Sequence, residues 1–96
     1  MGLFGIFKRR RRPMTEDDRR ALLLKNGRLT DGKIIDTETD SDGCEVVYFV
    51  YSISGADFEA SEKLTKAQME DPISYAPGAK IGVRYDTKNH GNAIIV

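Results

Sequence analysis

The run Cys44-Glu-Val-Val-Tyr-Phe-Val-Tyr-Ser-Ile53 constrains the fold more than any other part of the chain. Its β-branched and aromatic residues favour a strand. Both of its alternating sets are apolar, with Val46, Tyr48 and Val50 on one and Val47, Phe49, Tyr51 and Ile53 on the other. Successive side chains of a strand point to opposite faces, so the pattern predicts a central strand covered on both sides, one of them by a helix.

The flanking residues extend this into a sheet. Gly32 to Thr39 reads as a strand, and Asp40-Ser-Asp-Gly43 as the turn that joins it to 44–53. Ser54-Gly55 turns the chain into a third strand over 56–62, where Ala56, Phe58 and Ala60 alternate with polar residues and leave one face wet. Residues 64–71 are polar enough to hold one helical turn or none. Tyr75-Ala-Pro-Gly78 is a turn leading to a strand at 80–86, with Ile81, Val83 and Tyr85 on one face, and 92–96 forms a last strand. Upstream, Thr15 is placed to cap a helix over about 16–25. Asp18 stands at the capping-box position, three acids fill the first turn and Gly27 marks the stop. That helix is expected to pack Leu22, Leu23 or both. The predicted fold is mainly β: a small five-stranded twisted sheet or partial barrel with one short N-terminal helix packed on it.

Ninety-six residues make one domain, here 14–96, preceded by a tail of residues 1–13. One cysteine, Cys44, and one histidine, His90, leave no internal disulfide and no Cys/His set for structural zinc. No run approaches the roughly 18 to 20 apolar residues that span a bilayer, so no spanning helix is expected. The apolar stretch of the tail precedes its basic run, the reverse of a secretory signal. Gly2 does not begin a myristoylation signal, because Ile6 stands where Ser or Thr is needed.

Charge is balanced overall and unevenly distributed. Residues 1–20 carry seven basic and three acidic side chains, a net +4, and residues 21–96 carry eight and twelve, a net −4. Six of those acids, Asp31, Asp36, Glu38, Asp40, Asp42 and Glu45, fall within 15 positions. The basic tail and the acidic body are suited to different partners, or to one another.

From Leu24 onward an ordered series of short motifs resembles a bacterial family of unknown function, a small β-domain usually found beside membrane helices. Its elements are Gly27, Gly32-Lys-Ile-Ile35, Val47-Tyr-Phe-Val-Tyr51, Gly55-x-x-Phe58, Tyr75-x-Pro-Gly78, Val83-x-Tyr-Asp86 and Asn89, spread over about three quarters of the chain. The resemblance implies a compact β-fold and membrane association, with no catalytic residues. Where the family often continues with Pro after Tyr-Asp and after Asn, Thr87 and His90 stand here.

The tail holds the candidate contact residues. Leu3, Phe4, Ile6 and Phe7 can enter a bilayer interface, and Lys8, Arg9, Arg10, Arg11 and Arg12 can bind anionic headgroups. An apolar insertion beside a polybasic patch is the two-signal arrangement that makes peripheral binding stable. The same basic run can contact nucleic acid or an acidic protein partner, though KRRRR reads no bases, and a merely solvated tail is the third reading.

Other candidates reduce to structure. Glu38, Asp40, Asp42 and Gly43 fit the start of a calcium loop, but its twelfth position is Phe49 where a bidentate Glu is required. Carboxylates beside Cys44 oppose thiolate formation. His90 lies in a turn. The rings of Tyr48, Tyr51, Tyr75, Tyr85, Phe49 and Phe58 are expected in the core and not in a stacking platform for bases, and Asp57 and Glu59 on a solvated strand face. No nucleophile–base pair and no cofactor site emerges. The expected role is a non-enzymatic interaction module at the cytoplasmic face of a membrane. The alternative is a soluble module that binds nucleic acid or an acidic partner, and homodimerisation through strand edges stays open.

Overall fold

A computed structural model describes residues 14–96, and residues 1–13 lie outside the described residues. Helix α1 spans Glu16–Asn26 and is followed by strands β1 (Arg28–Thr39), β2 (Glu45–Ile53) and β3 (Ala56–Lys63). A single helical turn, α2 (Lys66–Met69), precedes β4 (Lys80–Tyr85) and β5 (Ala93–Ile95). All pairings are antiparallel, in the order β3-β2-β1-β4-β5. Although β3 and β5 are the two ends of that order, they touch, because the sheet curls into a half-barrel.

The inward faces supply the core. Ile34, Val47, Phe49 and Val83 are fully buried with Ile95, and Tyr51, Ile53, Leu64, Tyr85 and Ala93 complete the cluster. The segment between β3 and β4 lays Met69 and Tyr75 against it. Its Pro-Gly turn is tied to β1 through Ile34, which accepts from the Gly78 N–H at 2.7 Å and donates to the Ala79 carbonyl at 2.9 Å.

Two expectations about β2 part company here. It is an interior strand, as its pattern requires. Its second face is not closed: Val46, Tyr48 and Val50 are only half-buried, and α1 packs instead against β4 and β5. The helix ends show why. Thr15 and Asp18 form the reciprocal capping box, and Arg84 of β4 donates to the Gly27 carbonyl at 2.9 Å, holding the other end on the sheet. Gly27 is extended (φ −72°), so it ends the helix by room and not by a left-handed turn. A Cβ there would lie 2.4 Å from the Leu23 carbonyl oxygen and 3.3 Å from the Arg84 Cβ. Leu23 is the buried helix residue, worth about 1.5–3 kcal/mol; Leu22 and Leu24 remain exposed.

Strand β1 begins at Arg28, four residues earlier than its apolar pattern indicates, because Arg28–Asp31 pair with Gly82–Tyr85. It also carries a bulge: Ile34 faces Phe49, Asp36 faces Tyr48, and Ile35 between them has no partner.

Candidate functional site

The expected contact residues Leu3, Phe4, Ile6, Phe7, Lys8, Arg9, Arg10, Arg11 and Arg12 lie outside the described residues. Their point of attachment is described. Met14 is 60% exposed immediately before the capped first turn of α1, where Glu16 and Asp17 are also exposed. Two grooves open beside it. One, of about 400 Å³, is lined by Met14, Leu22, Leu23 and Asn26 of the helical end and by Asp86–Lys88 and Asn92. The other, of about 640 Å³, runs from Glu16 and Asp17 to Val46, Ser61 and Lys63.

Between α1 and the sheet lies a polar junction that sequence reading missed. Glu62 continues the inward series Phe58, Ala60, and its side chain is buried where β3 meets β5. One carboxylate oxygen accepts from the Ile95 N–H at 3.0 Å, and the other accepts from the Arg20 guanidinium at 2.6 Å. Arg19, one position earlier, donates to the Ala93 carbonyl at 3.2 Å and to the Asn92 side chain at 2.8 Å while paired with Glu16. Thus the outer edge of β5 bonds to side chains, a native means of blunting an edge strand. Burial pushes the Glu62 carboxyl above its ordinary value, against the opposing pull of the Ile95 N–H and Arg20. The available signal was a glutamate at period two after Ala56, Phe58 and Ala60.

The aromatic residues divide. Phe49, Tyr51 and Tyr85 are buried, and Phe58 and Tyr75 pack against them as expected of core residues. Tyr48 is the exception. It stands on the open face, donates its hydroxyl to Glu38, and has its own titration pushed upward by that bond. His90 is in a loop as expected, yet it is a packed residue: its ring meets Tyr85 edge-on at 5.3 Å and Phe58 at 5.7 Å. Its carbonyl accepts from the Tyr51 hydroxyl.

The acidic hairpin uses its carboxylates locally. Asp40 accepts from the N–H groups of Asp42 and Cys44, each at 2.9 Å, and pairs with Lys63 at 3.1 Å. The Cys44 N–H and Lys63 hold the Asp40 carboxyl below its ordinary value. Cys44, the residue just before β2, is half-buried and bonded to Asp40 through its backbone. Asp57 accepts from Ser52 across the strands, and both are exposed, as is Glu59.

The remaining feature is the open face of β1, β2 and β3. Cross-strand pairing places Glu38 and Lys63 beside Val46, Asp36 and Ser61 beside Tyr48, Lys33 and Glu59 beside Val50, and Asp57 beside Ser52. It is a half-buried apolar stripe with carboxylates along both sides. No protein-family model matches the chain, and comparison with curated proteins and with solved structures finds no match. The resemblance carried by Gly27 through Asn89 therefore rests on those residues alone.

Proposed function

We propose that this chain is a non-enzymatic interaction module held at an anionic membrane surface, the inner face of the cytoplasmic membrane, by residues 1–12. The observation that carries the reading is the order Leu3, Phe4, Ile6, Phe7 and then five consecutive basic residues, attached to the domain at an exposed Met14. Full burial of one large apolar side chain is worth about 1.5–3 kcal/mol. Each basic residue adds about 1 kcal/mol near an anionic leaflet. Shallow insertion of a few rings with the polybasic run is therefore enough for stable peripheral binding. Among the described residues no helix is long and apolar enough to cross a membrane, so a helical anchor would have to come from elsewhere.

Co-sedimentation of the full chain with neutral and anionic vesicles tests this reading. Binding to anionic vesicles, weakened by salt and by replacing Phe4 and Phe7 with Ser, supports it. If those replacements leave anionic binding unchanged, the contact is charge alone and the phosphate-binding alternative takes over. An absence of binding to either vesicle rejects the membrane role.

A further inference from the structure

The open face of β2 is unpartnered and has a specific chemistry. Val46, Tyr48 and Val50 leave a strand with apolar residues on both faces covered on only one. Asp36 and Glu38 edge the stripe on the β1 side, and Asp57 and Glu59 on the β3 side. Of the basic residues on the same face, Lys63 is held by Asp40, and Lys33 stands beside Val50 with Lys80 of β4 as its other neighbour, so the acidic excess lies toward Asp36, Glu38 and Glu59. A segment that complements this surface must be both apolar and strongly basic.

We infer that the open face of β1–β2–β3 is a docking site for this chain's own residues 1–12. Three observations select that occupant. Its composition matches, with Leu3, Phe4, Ile6 and Phe7 for the apolar stripe and Lys8 through Arg12 for the carboxylates; the net charges of residues 1–20 and 21–96 are +4 and −4. The path is open, because the groove of about 640 Å³ joins Glu16 and Asp17, the first residues of α1, to Val46, Ser61 and Lys63 at one end of the stripe. The reach is ample. Twelve extended residues cover at most roughly 40 Å, whereas the stripe from Val46 to Val50 is about 14 Å long. A tether this short holds the segment at an effective concentration on the order of mM, so even weak complementarity keeps it docked.

Docking and membrane insertion use the same side chains, so each excludes the other. That consequence rests on the membrane reading; the docking itself does not. Paramagnetic broadening in the full chain separates them. A spin label is attached at Gly5→Cys, with Cys44→Ser to leave one thiol, and amide signals are recorded without vesicles. The inference expects several-fold loss of intensity at Val46, Tyr48, Val50 and Glu59 relative to the reduced label. It also expects recovery in a chain carrying Asp36→Asn, Glu38→Gln, Asp57→Asn and Glu59→Gln, replacements that keep the hydrogen-bond acceptors and stand at exposed positions. Broadening confined to the Met14–Leu22 groove, or no localised broadening, overturns it. So does broadening of those amides in a mixture of labelled unenriched chain with unlabelled enriched chain, which would make the occupant a second copy.

Discussion

A buried carboxylate that accepts from both an edge-strand N–H and an arginine is costly to disturb and revealing to titrate. Glu62 joins β3, β5 and α1 through two hydrogen bonds. Glu62→Ala leaves the Ile95 N–H and Arg20 without this partner and is expected to destabilise the domain by about 1–3 kcal/mol in denaturant melts. Glu62→Gln keeps an acceptor for Ile95 and removes the buried charge, so its cost at neutral pH should stay within about 1 kcal/mol. The pH dependence has a definite sign. The folded carboxyl titrates above its ordinary value of 4.5, so between the two values the native state holds a proton that the unfolded chain has lost. Stability therefore falls as pH rises through that window, and Glu62→Gln should abolish this component of the fall. That Glu62 joins three elements was not legible locally. Its place two after Ala60 marks the inward face, whereas the approach of β5 and of Arg20 that surrounds it there is a product of the tertiary fold.

At the scale of elements, turns and caps were legible because each depends on a few neighbouring residues. The capping box of Thr15 and Asp18 and the turn at Ser54-Gly55 are of this kind. The turn also shows an imperfect local choice. Ser54 has φ +51° and Gly55 φ +86°, the left-handed pair that a tight hairpin needs. Asn tolerates that conformation better than Ser, so Ser54→Asn should stabilise the domain by roughly 0.5–1 kcal/mol, read as a raised thermal midpoint. The bulge at Ile35 was not legible, since Lys33-Ile-Ile-Asp reads equally well as regular strand. Its consequence is large. Strict alternation from Ile34 would turn Asp36 and Glu38 inward; the extra residue moves both to the open face and brings Thr37 opposite Val47. Deleting Ile35 removes the unpaired residue and leaves Ile34 opposite Phe49 and Asp36 opposite Tyr48, so both faces are kept. The deletion chain should therefore retain a cooperative thermal transition. Loss of that transition would show that the bend at the bulge is itself required, beyond its part in setting the faces.

For the whole molecule, the half-barrel was readable as a fold class because the number of strands, the helix and the doubly apolar β2 all pointed to it. The placement of the helix was not. The pattern of β2 called for cover on both faces, whereas α1 is anchored over β4 and β5 by Arg84 and Arg19 and tied to Glu62 of β3 by Arg20, residues that carry no periodic signal. The result is a domain with an open, acid-edged apolar face beside the attachment of an apolar and basic segment. If that segment moves between its own domain and a membrane, neutralising Asp36, Glu38, Asp57 and Glu59 should raise vesicle affinity several-fold in co-sedimentation. The proposed membrane contact can be tested with one probe, because the chain contains no tryptophan. Phe4→Trp in the full chain places a single reporter in the apolar segment. With anionic vesicles its emission should shift to the blue and be quenched by bromine-labelled acyl chains, and neutral vesicles should have little effect. Emission that stays unshifted and unquenched with anionic vesicles would contradict the account.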